Sequence, residues 1–237
     1  MSETPLHFKT ITELADLIKS KALSPVEVTE AMLNRIREQD PVYKSYATVM
    51  AEQAMVSAQT AERAISAGNY LGPLHGVPIA VKDLCYTKGV ATMGATKALV
   101  NNVPDFDCTV VERLNAAGAV ILGKLNLTEG AMAGYNPEFQ VPVNPWGANL
   151  WSGASSSGSG VATSAGLCYG SLGSDTGGSI RFPSAACGIV GIKPTWGRVS
   201  RYGVLALAES LDHIGPMTRS AADAGIILQA MAGLDPN

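Results

Sequence analysis

The chain has 237 residues, of which 46% are hydrophobic and 16% charged, and its formal net charge is −3. This composition favours a folded globular protein over a disordered one, and the small negative charge offers no basic surface for nucleic acid or an anionic membrane. Since no apolar run is long enough to span a bilayer and the first residues lack a secretory signal, we expect a cytoplasmic protein without nucleic-acid or membrane partners.

The first third of the chain predicts packing helices. Residues 24–27, Ser-Pro-Val-Glu, combine an N-cap serine, a proline at the first helical position and a glutamate at the third. Apolar residues follow at helical spacing: Val28, Met32, Leu33 and Ile36. An Ala-rich segment over 51–67 predicts a second helix that ends at Gly68.

Helices and strands alternate after this segment. Residues 77–81 are apolar and predict a buried strand that ends at Lys82. Asp107 is expected to cap a helix that ends at Gly118, and residues 119–122 predict another buried strand. The alternation indicates an α/β sheet covered by helices.

Two segments, 152–160 and 173–179, are dominated by glycine and serine. Low complexity alone would suggest a flexible linker. However, small or apolar segments follow each one, residues 188–192 predict a strand, and residues 220–232 predict a helix. We therefore interpret the Gly/Ser segments as loops in which the backbone approaches another group closely.

Ser179 is the candidate nucleophile. A metal-free amide hydrolase needs a nucleophile, a proton acceptor and donors for the oxyanion. Ser179 follows two glycines at a predicted helix start, where the N–H groups of Thr176, Gly177, Gly178 and Ser179 itself can converge on one oxygen. The segment thus offers both a nucleophile and an oxyanion hole.

Lys82 and His213 are the candidate bases. His213 follows Asp212, but neighbours in sequence do not place a ring on a carboxylate, so we interpret His213 as structural. Burial at the end of a strand would lower the pKa of Lys82 towards the range where a free amine accepts a proton. The alternative is an ordinary lysine paired with Asp83.

Cysteines and histidines predict no metal site. The four cysteines include no Cys-x-x-Cys pair, and three histidines form no recognisable ligand cluster. We expect buried, reduced thiols and neither metal nor cofactor.

Five blocks in order resemble the amidase signature family: residues 76–83, 153–160, 173–184, 188–195 and 210–216. The resemblance runs from about residue 5 to residue 237, and five blocks in register are far more specific than one. It implies an α/β fold with a mixed β-sheet core flanked by helices. It also implies a Ser–cis-Ser–Lys triad.

Residue by residue, the resemblance implies that Lys82 is the base, Ser155 the bridging serine after a cis peptide bond, and Ser179 the nucleophile that forms an acyl-enzyme. Asp175, Arg181 and Ser156 match supporting positions. The family usually reads Gly-Gly-Ser-Ser-Gly-Gly, whereas residues 153–158 read Gly-Ala-Ser-Ser-Ser-Gly. This departure leaves open whether Ser155 or Ser156 follows the cis bond.

The resemblance leaves the substrate open. Family members cleave small-molecule amides, carbamates and aryl esters, so amidase, urethanase and esterase activities are all candidates. We expect one domain over 1–237, with a helical segment at 1–70 and a catalytic α/β core at 71–237. The chain resembles the N-terminal half of a typical member, which suggests truncation at the C-terminus and an edge covered by a partner or by a second copy in a homo-oligomer.

Two other functions remain. One is a partner-dependent, non-catalytic module such as a glutamine amidotransferase subunit. The other is a nucleotide-binding α/β protein, but the glycines lack the spacing and the Lys-Ser/Thr pair of a phosphate-binding loop.

Overall fold

A computed structural model describes residues 4–237. Its helices are α1 (Ile11–Lys19), α2 (Pro25–Tyr43), α3 (Ala51–Ser66), α4 (Thr109–Ala116), α5 (Ser157–Ser164), α6 (Arg181–Cys187) and α7 (Ala221–Met231). Its strands are β1 (Tyr46–Val49), β2 (Pro78–Lys82), β3 (Val120–Leu125), β4 (Gly170–Asp175), β5 (Val190–Gly191) and β6 (His213–Thr218). Short 3₁₀ turns lie at Leu6–Phe8, Lys97–Leu99 and Glu129–Ala131.

The strands form one six-stranded mixed sheet in the order β1-β3-β2-β4-β6-β5. Strand β2 runs parallel to β3 and β4, whereas β1, β6 and β5 pair antiparallel with their neighbours. Helix α3 packs on β3, α5 on β4, and α7 on β6. The predicted mixed α/β sheet flanked by helices is confirmed.

Helix α2 begins where the sequence predicts. The Ser24 hydroxyl accepts hydrogen bonds from the N–H groups of Val26 and Glu27, and the Glu27 carboxylate accepts one from the Ser24 N–H. This reciprocal cap satisfies backbone donors that the first turn leaves without helical partners. The apolar residues that follow are buried in the core: Val28, Met32, Leu33 and Ile36.

Three local predictions were wrong. Asp107 does not cap α4; Cys108 occupies the N-cap position without a side-chain bond, and Asp107 accepts instead from the N–H of Lys88. The strand predicted over 188–192 is reduced to the two residues of β5. In the first third, Tyr46–Val49 forms a sheet strand between two helices, so that region is not wholly helical.

The second Gly/Ser segment is partly a strand. Its residues 173–175 end β4, which is buried along its whole length at the centre of the sheet. Ala80 of β2 is in register with Ser171 of β4, and the two strands are parallel. Because the carboxyl ends of parallel strands meet at the same edge, Lys82 and the end of β4 lie close together.

Candidate active site

Lys82 lies at the end of β2 with only 1% of its surface exposed. Its amine, Nζ, donates hydrogen bonds to Ser155 Oγ at 2.7 Å, to Ser156 Oγ at 2.9 Å and to Ser174 Oγ at 2.9 Å. When the ammonium group loses a proton, one of these contacts can reverse, so that a serine hydroxyl donates to the nitrogen lone pair. The arrangement is therefore suited to proton exchange between a lysine and a serine.

Burial changes the acidity of this amine. It lowers the pKa of Lys82 from 10.5 to about 7, and electrostatic interactions with Cys85, Asp175 and Asp212 oppose the shift only in part. Within residues 4–237, Lys82 forms no ion pair. About half of the amine is therefore uncharged near pH 7 and can accept a proton.

The alternative of a lysine paired with Asp83 is wrong. The Asp83 carboxylate, through Oδ1, lies 3.2 Å from Lys124 Nζ, and both side chains are buried. Its other oxygen accepts a hydrogen bond from the Met93 N–H at 3.0 Å. Asp83 thus has its own cationic partner, and Lys82 binds hydroxyl groups only.

A cis peptide bond joins Ala154 to Ser155. Ser155, and not Ser156, therefore follows the cis bond. The Ser155 hydroxyl is the closest of the three partners of Lys82. Ser156 lies beside it, where its hydroxyl donates to the Ser174 carbonyl and accepts from the Ser174 N–H, each at 3.2 Å. Ser156 thus links the cis turn to β4.

Ser179 lies next to this cluster and is half-buried. Its carbonyl accepts a hydrogen bond from the Ser156 N–H at 3.2 Å, which fixes the loop against the cis turn. Among the described residues its hydroxyl makes no hydrogen bond, and no bond joins it to the Ser155 hydroxyl. The structure thus forms the Lys82–Ser155 contact and leaves the Ser179 hydroxyl available to a ligand.

The Asp175 carboxylate organises the Ser179 loop. It accepts hydrogen bonds from the N–H groups of Gly178 at 2.7 Å and Ile180 at 3.1 Å, and from two guanidinium nitrogens of Arg181 at 3.0 Å each. Burial alone would raise the pKa of Asp175, but the Arg181 guanidinium and the backbone donors outweigh it, so the net shift is downward. Asp175 is therefore a charged anchor of the loop.

The oxyanion hole predicted from the sequence needs one correction. The Gly178 N–H donates to Asp175 and is not available to an oxyanion. The N–H groups of Thr176, Gly177 and Ser179 make no hydrogen bond within residues 4–237. Three of the four predicted donors therefore remain candidates.

Asp212 and His213 do not form a catalytic pair. The Asp212 carboxylate accepts from the Thr176 hydroxyl at 2.5 Å and from the Leu207 N–H at 2.8 Å. His213 begins β6, and its Nδ1 lies 3.1 Å from the Asp175 carbonyl oxygen. Both residues stabilise the segment before Ser179, as expected for a structural His213.

Two groups at the site were not predicted as site residues. Ser174 is the third hydroxyl partner of Lys82, and Lys124 neutralises Asp83. Ser174 belongs to a Gly-Ser-Asp run that looks like a loop in sequence, so only the position of β4 identifies it. Lys124 interrupts an otherwise apolar buried strand, and that interruption is the signal that could have found it.

A cavity of about 470 Å³ lies beside this centre. Ser174 and Asp212 contribute to its wall together with apolar side chains that include Leu205 and Ile214. The exposed rings of Trp151 and Phe182 lie 6.3 Å apart. A Cβ at Gly178 would lie 2.2 Å from the Phe182 ring, so this ring packs against the loop that carries Ser179.

Two further kinds of functional feature are absent from residues 4–237. No helix there is long and apolar enough to cross a membrane. No group of three or more His, Cys, Asp or Glu side chains in this range is arranged to hold a metal ion. The four cysteines are buried and free, as expected.

Fold and site together define an α/β protein with a buried lysine–serine centre beside a glycine-rich loop. The chain belongs to the Amidase family, whose profile matches residues 27–237. The family resemblance seen in the sequence is thereby confirmed.

Individual relatives cover nearly all of the chain. It is 59% identical over 225 residues to AmiD, an amidase by name, from Mycobacterium tuberculosis, covering 95% of this chain and 47% of that protein. It is 51% identical to a subunit of the glutamyl-tRNA(Gln) amidotransferase of Geobacter metallireducens, covering 96% and 47%. The native peptide amidase of Stenotrophomonas maltophilia superimposes with a TM-score of 0.94 at 36% identity, covering 98% and 49%. The chain thus spans about half the length of the relatives it matches.

Proposed function

We propose that the protein hydrolyses the C–N bond of a small-molecule amide through an acyl-enzyme on Ser179, with Lys82 and Ser155 carrying the proton. The observation that carries this proposal is the buried Lys82 amine, without an ionic partner, 2.7 Å from the Ser155 hydroxyl. A lysine of this kind can serve as a general base at neutral pH. Family membership supports the same reaction.

The first step forms the acyl-enzyme. As Ser179 Oγ attacks the carbonyl carbon, its proton passes to Ser155 Oγ, and the Ser155 proton passes to the lone pair of Lys82 Nζ. The carbonyl π electrons move to oxygen, and the N–H groups of Thr176, Gly177 and Ser179 stabilise that charge. We expect the hydrogen bond between the Ser179 and Ser155 hydroxyls to form when substrate binds, since catalytic hydrogen bonds often tighten only at that stage.

The second step releases the amine and then the acid. When the tetrahedral intermediate collapses, the C–N bond breaks and Lys82 returns its proton through Ser155 to the leaving nitrogen. Water then enters, gives a proton to the same relay and attacks the ester carbonyl carbon. The C–O bond to Ser179 breaks, its oxygen regains the proton, and the carboxylic acid leaves.

Supporting roles follow from the contacts. Ser156 binds both Lys82 and β4, so we assign it to holding the amine in position. Asp175 and Arg181 hold the loop that carries Ser179. Loss of these residues should lower the rate without removing the nucleophile.

A fluorophosphonate probe tests the nucleophile without knowledge of the substrate. Peptide mapping should place the label on Ser179 in the wild-type chain. Ser179→Ala should abolish labelling, and Ser155→Ala and Lys82→Met should slow it by at least about a hundredfold, in the range attributed to general base catalysis. Ser57→Ala, an exposed serine on α3, is the matched control and should label like wild type. Equal labelling of wild type and Ser179→Ala would refute the proposal.

Acyl 4-nitroanilides then test hydrolysis directly, since cleavage of the anilide C–N bond releases a coloured amine. The same acyl groups as carbamates and aryl esters test whether urethanase or esterase activity accompanies amide cleavage. The acyl-enzyme route accommodates all three classes because they share the attacked carbonyl. A wild-type chain that labels with the probe but cleaves none of them would refute hydrolysis of these classes.

A second candidate is a partner-dependent protein that acts as one component of an amidotransferase. It is favoured by 51% identity to a subunit of a glutamyl-tRNA(Gln) amidotransferase. In this case the chain would release ammonia from glutamine only when a partner or a second copy completes it. Ammonia release by the isolated chain, at a rate unchanged by added partner proteins, would exclude this candidate.

A further inference from the structure

The sheet separates Lys82 from the acidic residue that follows it in sequence. Successive side chains of a strand point to opposite faces, so Lys82 and Asp83 diverge at the end of β2. In the parallel pairing of β2 with β3, Val81 is in register with Lys124 and Lys82 with Leu125. Lys124 therefore lies on the face opposite Lys82, which is the face towards which Asp83 points.

The contacts of Asp83 agree with this geometry. Lys124 Nζ lies 3.2 Å from one carboxylate oxygen, and the Met93 N–H donates to the other. Lys124 Nζ also donates to the Thr92 hydroxyl at 2.6 Å. Both charged side chains are at most 1% exposed, so water does not screen the pair.

The two carboxylates that raise the pKa of Lys82 also have hydrogen-bond partners. Asp175, on β4, is held by Arg181 and by backbone N–H groups. Asp212, before β6, is held by the Thr176 hydroxyl and by backbone N–H groups. Asp83 is adjacent to Lys82 in sequence, and its only cationic partner among the described residues is Lys124.

We infer that Lys124 is a positioning residue for the reaction: it holds the Asp83 carboxylate on the opposite face of the sheet and so leaves the Lys82 amine without an anionic partner. The inference rests on the proposed function, because a free amine matters only if Lys82 is the base. Without Lys124, a buried unpaired carboxylate would draw the nearest cation, and an opposite charge within a few ångströms favours the protonated lysine. The titratable groups that face Lys82 from the packed elements are Cys85, Asp175 and Asp212. Lys124 also lowers the pKa of the Cys85 thiol, so Lys124→Met should raise the pKa of that thiol; this change opposes a rise in the Lys82 midpoint and does not mimic it.

The test is a ¹³C NMR titration of the Lys82 side chain, with its signal assigned by its absence in Lys82→Met. Lys124→Met should raise the titration midpoint of Lys82 by at least about one pH unit, which lowers the uncharged fraction at pH 7 about fivefold. The double variant Lys124→Met/Asp83→Asn, which removes both charges, should restore the wild-type midpoint. If Lys124→Met does not fold, Lys124→Gln makes the same test with a donor in place of the charge.

An unchanged midpoint in a folded Lys124 variant would overturn the inference, because Asp83 would then have taken up a proton in place. A raised midpoint that persists in the double variant would also overturn the inference, because the Asp83 charge would then not be its cause. The pH dependence of kcat/KM for an acyl 4-nitroanilide gives a second readout. The pH at which kcat/KM rises should shift upwards with the Lys82 midpoint in Lys124→Met, and it should return to the wild-type value in the double variant. If the wild-type chain cleaves no amide, the proposed function fails, yet the NMR titration still decides the role of Lys124.

Discussion

The buried amine of Lys82 should make the stability of the fold depend on pH in a characteristic way. The unfolded chain holds this proton with an ordinary pKa of 10.5, whereas burial lowers the pKa in the folded chain to about 7. Between these two values the unfolded state binds more protons than the folded state. The resulting penalty on folding is fully present below pH 7 and disappears as the pH rises towards 10.5, so stability should rise with pH over this range.

The magnitude follows from the shift. Each pKa unit corresponds to about 1.4 kcal/mol, so the full penalty at low pH is about 5 kcal/mol. Integrated between pH 7 and pH 9, the Lys82 contribution to the free energy of unfolding should increase by about 2 kcal/mol. Lys82→Met removes this titration while it keeps an unbranched side chain of similar length. The wild-type protein should therefore gain about 2 kcal/mol relative to the variant over these two pH units.

Urea unfolding at pH 7 and pH 9, under reducing conditions, measures this difference. The absolute stability of Lys82→Met is a poor guide, because three serine hydroxyls lose a partner at the same time. The change in the free energy of unfolding between the two pH values isolates the titration of the amine, because the lost hydrogen bonds affect the variant at both pH values. Lys97→Met is the control, since the Lys97 side chain is 72% exposed, and it should follow the wild-type pH dependence. Parallel curves for wild type and Lys82→Met would refute the claim that burial suppresses the charge on Lys82.

Three further outcomes are expected. Amide hydrolysis should rise through pH 7 as Lys82 loses its proton, and kcat/KM measured from pH 5 to pH 9 that is flat or falls through pH 7 would contradict this role. Asp175→Asn should slow probe labelling of Ser179 and lower the free energy of unfolding by about 2 kcal/mol, because several charge-assisted hydrogen bonds weaken together; an unchanged labelling rate would exclude the anchoring role. Gly158→Ala should cost about 1–3 kcal/mol in urea unfolding, since its Cβ would lie 2.4 and 2.6 Å from two backbone carbonyl oxygens, whereas Gly134→Ala, with nothing within 4 Å, should stay within about 0.5 kcal/mol of wild type.

Local signals in the sequence were sufficient where one segment determines its own structure. The cap at Ser24 and the buried faces of α2 follow from side-chain chemistry within a few residues. Strand β2 was predicted to within one residue because it is apolar throughout and ends in a lysine. The contact between Lys82 and Ser155 joins residues 73 positions apart, so it was available only through the family resemblance.

Strand β4 shows why other features could not be predicted. It contains glycine and serine at most positions, which are poor strand formers by pattern, yet it is fully buried. Its neighbours explain the composition: the Ser159 hydroxyl of α5 donates to the Leu172 carbonyl, and a Cβ at Gly173 would lie 2.7 Å from the sulfur of Met217. Packing across the sheet selects small residues here, and that requirement leaves no periodic apolar signal.

The same small residues explain how a lysine can act as a base in this fold. Close packing of α5 and the cis turn on β4 excludes water from around Lys82, and the loss of hydration lowers the affinity of the amine for a proton. Three serine hydroxyls replace water as hydrogen-bond partners without bringing a negative charge. Larger side chains would separate these elements, and a carboxylate in place of any hydroxyl would keep the amine charged. A low-complexity sequence and a basic lysine therefore have one physical cause, which is dense packing of backbone around a single ionisable group.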